Sequence, residues 1–173
     1  KEEIKTHGLK GETLGIDAYL LPMVKALEKE GIKTSTEAGE ALMEARTTKT
    51  KDEVECLRMA ATLVEAGWAK AKEAVRPGVA ENELRAIFLS EIWRLGSDAA
   101  VTADIHSGPR TWVNNIITSD RIIRPGYIII MLGCNNSYMG YKTCYYRTFI
   151  CGRANQAQKD TYELCKDYLY AAI

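Results

Sequence analysis

The sequence predicts an α+β fold in which long helices cover a sheet, preceded by the end of an α/β unit. Three observations predict it. Two apolar stripes at helical spacing fill residues 50–96, strand-like segments rich in Ile, Thr and Tyr follow up to residue 150, and residues 13–46 alternate short strand-like and helix-like runs.

Thr13-Leu14-Gly15-Ile16-Asp17 reads as a short buried strand. Tyr19 to Gly31 then reads as a helix, with Leu20, Val24 and Leu27 on one face and Gly31 ending it. Ile32 to Ser35 is a second strand and Gly39 to Arg46 a short helix, so residues 1–46 form the C-terminal part of an α/β domain. The polar stretch Thr47 to Thr50 is the boundary, and residues 47–173 form the second domain. Thr50-Lys51-Asp52-Glu53 is a capping box, in which the hydroxyl and the carboxylate each satisfy a free amide. Behind it, Val54, Leu57, Ala61, Val64, Trp68, Ala71 and Val75 form one apolar stripe on a helix of about seven turns. Arg76-Pro77-Gly78 stops that helix. A second helix runs from Glu81 to Leu95, with Leu84, Ile87, Phe88, Glu91 and Leu95 inward and Gly96 closing it. Strands are expected at Ala99–Ile105, Ile116–Thr118, Tyr127–Leu132 and Tyr141–Ile150, with a turn at Asn135-Asn136-Ser137 because asparagine tolerates the left-handed region. From Asn155 a third amphipathic helix runs to Ile173. A chain that opens inside one α/β unit and stops in a helix reads as a fragment, and its one-sided helix layer leaves apolar surface for more chain or a partner to cover.

The 173 residues carry 23 basic and 23 acidic side chains, with no basic block. Nucleic acid and acidic membrane are therefore poor partners. No apolar run approaches the roughly 20 residues that span a bilayer, and no segment has the pattern of a signal peptide. The five cysteines form no C-x-x-C pair, which suits reduced thiols in a cytoplasmic protein better than a disulfide framework or a structural zinc.

Lys49 to Glu55, Leu57 to Ala61, Arg76-Pro77-Gly78, Glu81 to Leu84, Ser107-Gly108, Ser119-Asp120-Arg121, Pro125-Gly126, Gly140-Tyr141 and Arg147-Thr148-Phe149 follow one another in an order that resembles the creatinase, prolidase and Xaa-Pro aminopeptidase family. The resemblance implies half of a pita-bread domain, a curved antiparallel sheet with long helices, and Leu14 to Arg46 resembles the end of the family's smaller N-terminal domain. In that family two aspartates on neighbouring strands, with a histidine and two glutamates, hold a pair of divalent metals that activate a water. By the resemblance the first aspartate falls on Met131 and the second on Cys144, with an intervening turn about two residues longer than usual. Neither residue replaces a hard anionic ligand, so no metal and no other cofactor is expected. Creatinase works without metal, and its Gly-Tyr-x-Thr-Ala-x-Glu-Arg-Thr pattern is similar to Gly140 through Thr148. Tyr146 stands where creatinase has a substrate-binding glutamate, and creatinase's proton-shuttling histidine falls near Asn114.

Each candidate residue also has an ordinary structural role open to it. His106 is a candidate general acid or base, or a loop histidine bonded to backbone. Cys144 is a candidate nucleophile if a base lowers its pKa, or a small apolar group. Met131 is packing, or the apolar floor of a pocket. Asn114 and Asn115 hydrogen-bond a substrate, or cap a turn. Arg147 pairs with a carboxylate or with carbonyls on the sheet. Of the three tyrosines on the last strand, alternation puts only Tyr146 on the face of Cys144.

The resulting expectation is a metal-independent hydrolase or lyase acting on a small amide, an amino-acid derivative or a short peptide. Asn114, Asn115, Met131, Cys144 and Tyr146 would line its cleft, and the catalytic groups are not identified. A catalytically inactive pita-bread binding module is the alternative, and a Xaa-Pro metallopeptidase with unusual ligands a further one. By the resemblance the protein is a homodimer.

Overall fold

The computed structural model describes residues 2–8, 11–17, 20–113 and 116–173. They form two compact units, residues 1–50 and 51–173.

In the first unit, α1 (Glu2–Thr6) precedes β1 (Thr13–Gly15), α2 (Leu21–Lys29), β2 (Lys33–Ser35) and α3 (Glu37–Thr47). β1 and β2 are parallel, with Thr13 opposite Lys33 and Gly15 opposite Ser35, and α2 is the crossover that parallel pairing requires. Pro22 sits in the first turn of α2, where its missing N–H removes no helical bond. Gly31, at φ 73°, ends the helix as its N–H reaches the Glu28 carbonyl. The expected start at Tyr19 lies outside the described residues. α3 begins two residues before the expected Gly39, because the Glu37 N–H finds the Ser35 hydroxyl and the acidic pair Glu37 and Glu40 suits a helix start.

The second unit contains α4 (Lys51–Glu73), α5 (Glu81–Arg94), β3 (Ala99–Ser107), a single 3-10 turn (Gly108–Arg110), β4 (Ile128–Tyr138), β5 (Tyr141–Ile150) and α6 (Gln156–Ala171). The strands make one antiparallel sheet in the order β3-β4-β5. α4 lies over β4 and β5, and α5 lies over β3. Val64, Trp68, Leu84, Phe88, Ile105, Ile129 and Met131 fill the layer between helices and sheet, each large apolar side chain contributing about 1.5–3 kcal/mol. Trp68 stacks on Phe88 at 3.9 Å between ring centroids. Two glycines make room for that pair. A Cβ at Gly67 would stand 2.7 Å from Phe88 and Ile92, and one at Gly133 would stand 2.7 Å from the Trp68 indole.

The structure departs from the sequence expectations at α5, at residues 116–118 and at the hairpin turn. The α5 core stripe is Leu84, Phe88 and Ile92, four residues apart, whereas Glu91 turns to Arg94 and Leu95 is exposed beyond the last turn. Ile116–Thr118 is not a strand. The Thr118 hydroxyl, not its main chain, accepts the Ile105 N–H at 2.8 Å, so no ladder develops. The turn is not at Asn135-Asn136-Ser137 either. β4 continues to Tyr138, opposite Tyr141, and the reversal falls on Met139 (φ 51°) and Gly140 (φ 82°). Two positive φ angles in a two-residue loop make the hairpin turn whose twist matches the strands. The asparagines upstream instead accompany a register irregularity between Cys134 and Asn136. α6 begins as expected at Asn155, whose side chain and that of Gln158 cap each other's amides at 2.9 Å.

Candidate functional site

Strand alternation sorts the sheet into two faces. Ile129, Met131 and Gly133 of β4 point to the helices, with Ala103, Ile105 and Ser107 beside them on β3 and Tyr145, Arg147 and Phe149 on β5. The opposite face carries Asp104 and His106 of β3, Ile130 and Leu132 of β4, and Cys144, Tyr146 and Thr148 of β5. Its rows follow the register: Asp104, Leu132 and Tyr146 stand side by side, next to His106, Ile130 and Thr148.

This register corrects the place of Met131. Its side chain is fully buried among Val64, Trp68 and their neighbours, on the helix side of the sheet. A pocket containing Cys144 and Tyr146 therefore has Leu132, not Met131, as its β4 member. Cys144 is exposed, and its Sγ lies 3.9 Å from the Tyr146 phenol oxygen; Tyr146 is about half exposed. Asn114 and Asn115 lie outside the described residues.

The other tyrosines and Arg147 have structural partners. Tyr141 donates to Glu53 and Tyr145 to the Ala61 carbonyl, both on α4. Burial, with the nearby Glu65 carboxylate, pushes the Tyr145 phenol well above its usual range. Arg147 pairs with Glu65, donates to the Tyr146 carbonyl and lies 4.6 Å above the Tyr145 ring, the structural role its sequence position suggested.

His106 is almost fully buried, and its Nε2 meets the Ile116 carbonyl. That contact requires the proton on Nε2, which leaves this nitrogen as a backbone tie. Sequence reasoning missed two acidic residues here. Asp104 shares the open face, beside Leu132, with the Thr118 hydroxyl 3.4 Å from its carboxylate. Glu81, at the start of α5, is fully buried. Its Oε1 accepts the Ser107 N–H and hydroxyl, both at 2.8 Å, and its Oε2 accepts the Ser119 N–H at 3.2 Å and hydroxyl at 2.9 Å. Arg110 braces the same knot by donating to the Ser119 hydroxyl and the Ile117 carbonyl, both at 2.5 Å. One carboxylate thus pins the two ends of the 108–118 connection that borders the open face. The signal was the serine at each end of that connection, with an acidic residue at a helix start.

The open face also continues beneath α6. There Ile128, Thr148, Ile150 and the first turns of α6 border a cleft of about 830 Å³ that does not include Cys144 or Tyr146. Among the described residues, no three His, Cys, Asp or Glu side chains converge as metal ligands.

A profile of metallopeptidase family M24 matches residues 55–173. The chain is 30% identical over 157 residues to the Xaa-Pro dipeptidase of Pyrococcus furiosus, a match covering 88% of this chain and 44% of that protein. The solved structure of prolidase from Pyrococcus furiosus superposes with a TM-score of 0.80 at 26% identity, covering 88% of this chain and 45% of that one. Prolidase from Pyrococcus horikoshii OT3 matches all of this chain and 51% of its own, with a TM-score of 0.85 at 23% identity. The chain spans about half the length of these relatives. The second unit is accordingly half of a pita-bread domain, as the sequence resemblance implied. The metal pair that the family name implies asks for hard oxygen ligands. The open-face positions of β4 and β5 offer a leucine, a thiol and a phenol, a set that does not fit it.

Proposed function

Because the chain belongs to metallopeptidase family M24, we propose that it forms part of a hydrolase that cleaves a small amide, such as a short peptide or an amino-acid derivative, without a metal pair held by β4 and β5. The observation that carries this reading is the pairing of Leu132 with Tyr146, one row from Cys144, on the open face. An apolar side chain, a phenol and a thiol in neighbouring positions suit a substrate's apolar group and its hydrogen-bonding groups better than a doubly charged ion. Tyr146 and Cys144 would donate to substrate oxygens, Leu132 would pack against its carbon skeleton, and Asn114 and Asn115 would supply amides. The groups that move protons are not assigned among these residues. The same reading includes a cytoplasmic homodimer.

The test uses the full-length protein with Xaa-Pro dipeptides and amidino amino-acid derivatives, assayed with and without chelator, alongside elemental analysis. Turnover that survives exhaustive chelation supports the proposal. Activity that disappears with chelator and returns with manganese or cobalt defeats its metal-free part. Absence of turnover on every member of the panel defeats its hydrolase part.

A further inference from the structure

β3 carries a carboxylate in mid-strand, on the open face. Asp104 stands in one row with Leu132 and Tyr146, and His106, Ile130 and Thr148 form the next row. Aspartate is depleted in strands, and a half-buried carboxylate beside apolar side chains loses hydration that a cation or several donors would restore. This one receives little in return. The Thr118 hydroxyl lies 3.4 Å from its Oδ1, well beyond the about 2.5–3.0 Å of a strong bond, although an ionised carboxylate accepts at about four positions. Among the described residues no lysine, arginine or histidine pairs with it. The nearest basic residues along the chain, His106 and Arg110, are committed elsewhere. His106 Nε2 meets the Ile116 carbonyl, and Arg110 donates to Ser119 and Ile117 beside Glu81.

We propose that Asp104 is a substrate-binding residue that pairs with a cationic side chain, ammonium or guanidinium, on the amide that this face takes. The assignment rests on the hydrolase reading and narrows it to a basic substrate. Asp104 and Tyr146 lie on the two outer strands with Leu132 between them. Neighbouring strands are about 4.8 Å apart, so their backbones are separated by about 10 Å. A substrate carbonyl held by the Tyr146 phenol or the Cys144 thiol leaves Asp104 out of reach of the same residue's α-amino group, because even consecutive Cα atoms are only about 3.8 Å apart. A side chain of lysine or arginine length spans the gap. Its methylene stem lies along Leu132 and its head reaches Asp104, the division of apolar stem and charged tip that such side chains adopt. The ion pair is the same before and during reaction at the distant carbonyl, so it acts on KM rather than kcat.

The experiment measures kcat and KM of the full-length protein on matched pairs, lysyl-proline against norleucyl-proline and arginyl-proline against citrullyl-proline, which differ in side-chain charge at nearly constant shape. The expected result is a preference for the charged member of about 10- to 100-fold in kcat/KM, carried by KM. Asp104→Asn should bring both ratios to about one, and Asp104→Lys should favour glutamyl-proline over glutaminyl-proline. A reversed preference cannot come from a misfolded site, and the urea midpoint of each variant checks its fold. Turnover with no charge preference, or a preference that survives Asp104→Asn, overturns the proposal and leaves the hydrolase reading standing. An equal loss on charged and neutral members in Asp104→Asn also overturns it, since that result places the α-amino group or a purely structural role at this carboxylate. If no dipeptide is turned over, the hydrolase reading fails and calorimetric titration of the same four dipeptides decides. Tighter binding of the charged members that Asp104→Asn removes supports the proposal, and equal binding overturns it.

Discussion

Replacing Glu81 by glutamine removes one charge and changes almost no volume, so it isolates what the buried carboxylate does. Four donors converge on it, from the main chain and hydroxyl of Ser107 and of Ser119. A glutamine keeps one oxygen, which can serve Ser107. Its NH2 group must then face the Ser119 N–H, two donors with nothing to accept between them. The serine hydroxyl can rotate to accept, but the amide N–H cannot. An unsatisfied buried donor costs about 1–3 kcal/mol, and the bonds that remain lose the strength that charge supplied. Relief of the buried charge's desolvation works the other way, so the net expectation is a loss of about 2 kcal/mol. Glu81→Ala, which leaves all four donors without an acceptor, should lose more. Trp68, Trp93 and Trp112 are the only tryptophans and all lie in the second unit, so indole fluorescence during urea unfolding reads that unit. With a urea slope of about 1–3 kcal/mol per molar, the midpoint should fall by about 1 M with the slope unchanged. Glu83→Gln, exposed on the same helix, is the control and should not move it. A Glu81→Gln midpoint equal to that of the control would refute the assignment of this carboxylate as the knot of the connection.

Two other expectations follow from the hairpin. Met139 holds a positive φ that costs a side-chain-bearing residue about 1–2 kcal/mol, so Met139→Asn, which creates the favoured Asn-Gly turn, should stabilise the second unit by about 0.5–1 kcal/mol in the same urea assay. The Ser137 hydroxyl and the Gly140 N–H, the latter at 2.9 Å, hold the Asp98 carboxyl below its ordinary range. A carboxyl depressed in the folded state stabilises fully above its unfolded pKa of about 4 and loses that contribution as pH falls through the folded value; Asp98→Asn should therefore flatten the decline in urea midpoint on acidification below about pH 4.

Helices were legible because their stripes repeat. The run from Ala61 through Val64, Trp68 and Ala71 is the face that α4 buries or half-buries, and Leu84 with Phe88 does the same for α5. Ends and turns were less legible, because local propensity competes with distant partners. Asn135-Asn136-Ser137 has turn chemistry, yet Asn136 and Ser137 are buried and paired within the sheet, while a methionine takes the left-handed position beside Gly140. The Glu81 knot went unread for the same reason: its partners, Ser107 and Ser119, are 26 and 38 residues away, and no periodicity ties those serines to the acidic helix start.

The misplacement of Met131 has a single geometric cause. Counted back from the Met139-Gly140 turn along an unbroken ladder, Cys144 would oppose Asn135. Met131 would then share the open face with Cys144, as the family resemblance implied. The observed ladder slips by one residue between Cys134 and Asn136. A slip of one residue exchanges the two faces of a strand, so everything on β4 before the irregularity is inverted relative to that count. Met131 turns into the helix layer, and Leu132 comes to stand beside Tyr146. The bulge thus determines the apolar member of the candidate site. That member could not be read from residue types, because an extra strand residue carries no compositional mark of its own.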